Sequence, residues 1–379
     1  MPFAAAPSSK AVTSFLGVRN TSPPRSIPDN ALQVASDVDL DDAGILTRRR
    51  GHQQALAASG IPIGYSTQDR VAYVISDGWL NRVSADLTLA PLVLSSATAF
   101  TDKDGILFTN DGLRVKADAV TDLTFPTDMS QSAPALIATV GDWPAGQYTA
   151  TYCYRADATG LEGPTSSPAS ITITDGQRVV AIPATPPAGY TAVVYMTSVD
   201  GDVFYDTTGQ NLNPLQLAAD SFPTGGTSLA VFESSLYVAL PQSDGSTLVV
   251  WSYPFHPHLY SFAKNYIVVP GAVTAMHGLD EGLLITTNRD ISLYDGSSLR
   301  ILAPYGTPKG RPIAVSDHNT VYIHSNRGVC EALPFVNYTE KKALFAPGAF
   351  CETAVVEHDG IKQFITITDG TGVPFNTRA

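Results

Sequence analysis

Asp37, Asp39 and Asp41 stand at alternate positions, the spacing with which a calcium loop begins. Such a loop needs glycine at its sixth position and a bidentate glutamate at its twelfth; here those places hold Asp42 and Arg48. The triplet is therefore expected to be the acidic face of a strand, turned to solvent or to another subunit. Arg48, Arg49 and Arg50 form a dense basic run. Guanidinium groups grip phosphate or carboxylate through paired hydrogen bonds, but this run is expected to be a solvated or inter-subunit salt-bridging face, with a neighbour's aspartates as its partners in an otherwise acidic chain. His256-Pro257-His258 offers two imidazoles with no third ligand, and the rigid proline between them predicts a loop rather than a metal site. Glu357-His358-Asp359-Gly360 reads as the charged tip of a hairpin.

Nucleophilic and glycosidic chemistry find no frame either. Cys153, Cys330 and Cys351 are odd in number and widely spaced, which gives neither a disulfide framework nor paired zinc ligands, so buried thiols are expected. Glycoside hydrolysis would need two carboxylates about 5–10 Å apart across a cleft. Acidic residues are plentiful, yet none sits in a recognisable catalytic arrangement. Nucleophile elbow, phosphate-binding loop and zinc-protease helix patterns are missing from the sequence. These residues predict neither an enzyme nor a cofactor.

The elements that carry those residues read as strands. The chain has 379 residues, too many for one ordinary core and enough for two or three compact units. Its hydrophobic fraction of 44% can fill cores, which argues against intrinsic disorder. Glycine (30) and proline (27) amid a Thr/Ser/Val/Tyr-rich vocabulary imply short strands joined by frequent turns. A net charge of −12 should repel polyanions, so a protein that grips DNA is not expected. No basic segment leads into an apolar run at the N-terminus, and no stretch of about 18 apolar residues occurs. The expectation is a chain made in the cytoplasm without a membrane anchor.

From 61 to 125 the pattern is one of strand pairs about tight turns: Val71 to Ser76, the turn Asp77-Gly78, then Trp79 to Val83, and again Ile106 to Thr109, Asn110-Asp111-Gly112, Leu113 to Val115. Asp-Gly between alternating runs is a hairpin signal. Comparable pairs follow at 283–296, at 321–328 and at 355–367. Hairpins recurring at this loose interval fit four-stranded propeller blades. Residues 126–225 differ: tyrosines alternate from Tyr148 to Tyr154, Gly160 to Pro164 makes a turn, and further short strands follow near 171, 193 and 204. About 100 residues of such strands have the rhythm of an immunoglobulin- or fibronectin-III-like sandwich. The expected organisation is an extended N-terminal arm (1–60), first propeller blades (61–125), a fibronectin-III-like insertion (126–225) and remaining blades (226–379), an all-β protein throughout.

The arm carries a resemblance of its own. Gly17-Val18-Arg19-Asn20, Pro24 and Pro28, Ala31-Leu32, Asp37-Val38-Asp39, then Gly44, Leu46, Arg49 and Gly51 resemble the opening of a family of bacteriophage virion proteins of the tail nozzle or hub type. Val249 to Ser252, Tyr266 to Gly271 and Gly282 to Thr287 are similar to a blade of the same family. The resemblance implies a propeller with an inserted sandwich and a homo-oligomeric ring, hexameric in that family. It further implies neighbouring portal, adaptor or tail proteins, and a virion channel through which DNA passes without specific binding. In such a ring Phe15, Leu16 and Ile27 would be buried against adjoining copies, with Asp37, Asp39, Asp41, Arg48, Arg49 and Arg50 as further subunit contacts. The alternative is a receptor- or glycan-binding tail protein, with Trp143, Tyr190 and Tyr205 as the candidate aromatic surface.

Overall fold

The computed structural model describes residues 38–40, 46–48, 61–66, 71–116, 118–125, 132–217, 219–316, 320–339, 347–358 and 361–369. For 38–40, 46–48, 61–66, 356–358 and 361–363 it is the backbone that is described. The protein is all-β: among the described residues the single helical element is a 3-10 turn at Pro214–Gln216. The chain divides into two compact units, Ala58–Leu283 and one that joins Met1–Ala57 to Leu284–Ala379.

In the first unit, antiparallel meanders follow the chain. Ile61–Ser66, Val71–Ser76, Trp79–Val83 and Leu89–Leu94 form the first, and Phe100–Lys103, Ile106–Thr109, Leu113–Lys116 and Ala119–Asp122 the second. Ser228–Phe232, Ser235–Pro241, Thr247–Tyr253 and His256–Tyr260 form the third, with Tyr266–Val269 added beside Thr247 to Val250. The first strands of these meanders lie side by side in succession, and Val273–Leu279 continues the row beside Ser228–Phe232. That is a propeller-like arrangement. Asp77-Gly78 and Asp104-Gly105 both have positive φ at their two central residues, as tight hairpins require, and asparagine, aspartate and glycine tolerate that geometry. Gly278 belongs to the same logic of close approach, since a Cβ there would sit 2.1 Å from the carbonyl oxygen of Val231.

Alternation of apolar residues produces the packing between meanders. Val71, Tyr73, Ile75 and Leu80 meet Leu107, Leu113 and Val115 in one cluster. On the other side of the second meander, Phe108 and Leu123 meet Leu229, Leu236, Val238, Val250 and Tyr260 of the third. Ile106–Thr109 thus places Leu107 into one interlock and its neighbour Phe108 into the other.

The sheets change kind between Ala119–Asp122 and Ser228–Phe232. Gly146–Ala156 is the central strand of a five-stranded sheet, paired with Glu162–Thr165, Ala169–Ile173 and Tyr190–Thr197, the last continuing to Phe204–Tyr205. Ala135–Val140 and Gln177–Ile182 form a separate two-stranded sheet. It packs on the larger sheet through Leu136, Ala138 and Val179 against Tyr148, Ile173 and Trp143. Tyr148, Tyr152 and Tyr154 are all buried, so the alternating tyrosines are core.

In the second unit, Val38–Leu40 pairs with Leu46–Arg48. Ile313–Val315, Val321–Ser325, Gly328–Glu331 and Val336–Asn337 form a further meander. Ile291–Tyr294 pairs with Leu299–Ala303 across the Asp295-Gly296 turn. Phe350–His358 pairs antiparallel with Ile361–Thr368, and Lys309–Arg311 runs parallel to it. The hairpins expected from Asp-Gly and Arg-Gly turns at 71–83, 106–115, 321–331 and 350–368 are all present.

Candidate functional site

The densest polar constellation among the described side chains surrounds Glu162. It arises because Gly146–Ala156 is buried on both faces from Ala150 to Tyr154: one face carries the tyrosines and the other carries Cys153 and, half-buried, Arg155. Arg155 donates from Nε at 2.9 Å and from Nη2 at 2.6 Å to Oε1 of Glu162. Tyr195 donates its hydroxyl to Oε2 at 2.7 Å, and Gln216 donates to the same oxygen at 3.4 Å and to the Gly163 carbonyl at 3.0 Å. The Cys153 thiol lies 3.5 Å from Oε2. Burial alone would push the Glu162 carboxyl up, but the hydrogen bonds from Tyr195, Arg155 and Gln216 outweigh it and hold the group below its ordinary range. Burial and the facing carboxylate push both the Cys153 thiol and the Tyr195 hydroxyl up.

This arrangement is suited to holding rather than reacting. A nucleophilic cysteine needs a lowered pKa, and Cys153 is driven the other way. Both oxygens of Glu162 are already occupied by donors of the chain. The network joins the five-stranded sheet to the 3-10 turn, because Thr165 also donates to the Gln216 carbonyl at 3.3 Å. His258 adds a hydrogen bond to the Glu162 main chain, and burial followed by the nearby His256 lowers its pKa to about 4.

The residues singled out in the sequence separate. Phe15, Leu16, Ile27, Asp37, Asp41, Arg49 and Arg50 lie outside the described residues. Asp39 and Arg48 fall on two paired strands, opposite Thr47 and Val38 respectively, with only the backbone described. His256 and His258 lie in a strand, not in the expected loop. Pro257 is tolerated there because the register shifts between Ser252 and Tyr253, leaving irregular pairing that does not demand its missing N–H. Their rings are 6.1 Å apart, and His256 is engaged with the Pro254 carbonyl at 2.9 Å. No group of three metal-binding side chains occurs among the described residues. Cys153, Cys330 and Cys351 are buried thiols outside any disulfide, as their spacing suggested, and burial raises Cys351 to about 12.

The aromatic candidates do not converge. Trp143 packs on Tyr148 at 5.2 Å, in the cluster between the two- and five-stranded sheets. Tyr190 leans on Phe125 at 6.0 Å and donates to the Thr124 carbonyl at 3.4 Å. Tyr205 is 40% exposed at the sheet edge. Two shallow clefts lie in the same unit. One of about 210 Å³ is bordered by Lys103, Glu233, Ser234 and Asp280, and one of about 330 Å³ by Ser76, Asp77, Trp79 and Asn81.

The Glu162 constellation was missed from sequence, because its members are separated by up to 63 residues between Cys153 and Gln216. The single local signal was Arg155 and Glu162, seven residues apart across a hairpin.

No family model matches the chain, and no curated protein matches it. Solved structures that it resembles include a gluconolactonase from Xanthomonas campestris, XC5397, at 16% identity over 73% of this chain and 86% of that one, with a TM-score of 0.27. Others are the extracellular domain of the one-component system BT4673 from B. thetaiotaomicron (11% identity, 86% of this chain, 54% of that one, TM-score 0.25) and Sqt1 from Saccharomyces cerevisiae (8%, 78%, 74% and 0.25).

Proposed function

We propose that the chain is a non-catalytic structural component of a bacteriophage tail or head-to-tail channel, a nozzle or hub ring through which DNA is retained and ejected. The observation that carries this reading is the opening segment, from Gly17-Val18-Arg19-Asn20 through Asp37-Val38-Asp39 to Arg49 and Gly51, with its resemblance to virion proteins of that type. Supporting it, the fold is a row of meanders interrupted by one differently built module, which we interpret as a propeller carrying a fibronectin-III-like insertion. A propeller gives a rigid disc with short, protected strand edges. Several copies about one axis enclose a lumen. The net charge of −12 gives a wall without phosphate-binding sites, along which a polyanion slides rather than stalls.

The reading of the rival, a glycan-binding tail protein, is not favoured by Trp143 and Tyr190, which are engaged in internal packing. Negative-stain electron microscopy of the concentrated protein tests the ring directly. Closed rings with a central opening are expected; particles of single-copy size at every concentration would contradict the proposal.

A further inference from the structure

The cleft beside the first hairpin gathers hydrogen-bond acceptors around one aromatic ring. Ser76 and Asp77 close the second strand of the first meander. Trp79 and Asn81 lie on the face of the third strand opposite Leu80, whose side chain is in the core. Leu89 and Pro91 of the fourth strand complete the wall. At about 330 Å³ the space lies at the lower end of the roughly 300–1,000 Å³ that small-ligand pockets occupy. Trp79 is 40% exposed, whereas Trp143 and Trp251 pack on Tyr148 and Tyr237.

Asn81 carries the chemical argument. Its side chain is 6% exposed, and the amide nitrogen donates to two carbonyl oxygens, that of Trp79 at 2.8 Å and that of Ser76 at 3.4 Å. Two carbonyl neighbours fix which end of the amide is the nitrogen, and both its hydrogens are used. Oδ1 is left as an acceptor to which no described group donates. Among the described residues the sealed side-chain atoms without partners belong to Thr139, His324 and Thr366, so the Asn81 oxygen is open to the cleft. The Asp77 carboxylate accepts from Ser76 Oγ at 3.5 Å and forms no ion pair among the described residues. No basic side chain borders the cleft.

These walls select a donor with a positive charge. A saccharide brings acceptors as well as donors, and here the Asn81 hydrogens and the Ser76 hydroxyl are already engaged. A divalent metal ion would need about six oxygen ligands, and the cleft supplies far fewer. An ammonium group has donors and no lone pair to satisfy. Its charge is attracted by a carboxylate and by the face of an indole ring, and Leu89 and Pro91 offer apolar surface to the methylenes behind it. We infer that the cleft binds a small primary alkylammonium ion, its N–H groups donating to Asn81 Oδ1 and the Asp77 carboxylate and its charge lying against the Trp79 ring. The site belongs to the first meander alone, so it stands or falls independently of the ring reading.

Intrinsic fluorescence of the full chain, titrated with butylammonium chloride at constant ionic strength, tests the site through the tryptophan that borders it. A saturable change is expected, absent in Trp79→Leu, with the midpoint raised about threefold in Asp77→Asn. Asparagine adopts the positive φ of Asp77 as readily, so that variant keeps the turn and decides alone if Trp79→Leu fails to fold. Methyl glucoside, which presents hydroxyls without charge, is expected to give no change. A linear, unsaturable response to butylammonium, equal midpoints for the unaltered chain and Asp77→Asn, or saturable binding of methyl glucoside overturns the inference.

Discussion

The third meander and the sheets between Ala135 and Tyr205 are held by opposite means. In the meander, Leu229, Leu236, Val238 and Val250 interlock with Phe108 and Leu123 of the preceding meander, and the one polar atom among them, the Tyr260 hydroxyl, donates to the Leu236 carbonyl at 3.2 Å. In the five-stranded sheet, one side of Gly146–Ala156 is packed by tyrosines while the other depends on a carboxylate that takes hydrogen bonds from Arg155, Tyr195 and Gln216. Apolar interlocks tolerate small shifts, because dispersion and burial are non-directional. A partly buried ionic network is more directional, since a member left without its partner keeps the desolvation cost of its buried part. The difference fits a scaffold repeated along the chain that carries one module fixed in a defined pose.

Breaking the interlock should give the largest effect. Leu236→Ala removes a fully buried side chain, and a loss of about 3 kcal/mol is expected from cavity formation, read by denaturant unfolding. Exchange should rise across the whole meander. Glu162→Gln should cost less, about 2 kcal/mol, as the loss of a charge-assisted pair in a partly buried site. Its signature is local: exchange should rise at 146–156 and 190–197 before the meanders respond. Equal loosening in both regions would show that the two are not separately held.

Acid sharpens the same contrast. His258 and His277 have pKa values near 4, each lowered mainly by burial, with His256 and Lys103 as the second causes. Their ordinary value is about 6.5. Between these values the unfolded chain binds the protons and the folded chain does not, so stability is complete above about pH 6.5 and declines as pH falls toward 4. The slope is about 1.4 kcal/mol per pH unit for each group. A denaturation series at pH 7, 6 and 5 reads it, and His258→Gln should flatten it; a flat series for the unaltered chain would mean that these rings are not neutral in the fold.

The smallest effect concerns hairpin ends. Thr109, Thr287 and Ser325 each close a second strand by accepting backbone N–H groups of the turn: Leu113 at 3.1 Å, Arg289 and Asp290 at 3.0 and 2.9 Å, and Arg327 at 3.2 Å. Thr109→Val keeps the shape and removes the hydrogen bonding, for an expected loss of about 1 kcal/mol by thermal melting. No change would show that these hydroxyls are incidental.

The meanders were legible because their determinants are local. Asp77-Gly78 and Asn110-Asp111-Gly112 fix turns within a few residues, and the apolar alternation of Val71 to Ile75 fixes which face is buried. Even so, the shared hydroxyl at Thr109, Thr287 and Ser325 was overlooked, since it becomes visible only once the strand ends are aligned. The Glu162 network was not legible, because it depends on which of the many carboxylates meets Arg155, Tyr195 and Gln216 in space. His256 and His258 misled in the other direction: the proline between them suggested a loop, and hairpin pairing of His256 with Tyr253 and of Tyr260 with Ser252 placed them in a strand.

The measurement closest to the central claim of the proposed function is a cryo-electron microscopy reconstruction of virus particles purified from cells in which this protein is made. Copies ringed about the tail axis, with the lumen wall poor in lysine and arginine, are the expected result. Density confined to a peripheral fibre tip, or particles without the chain, would contradict it.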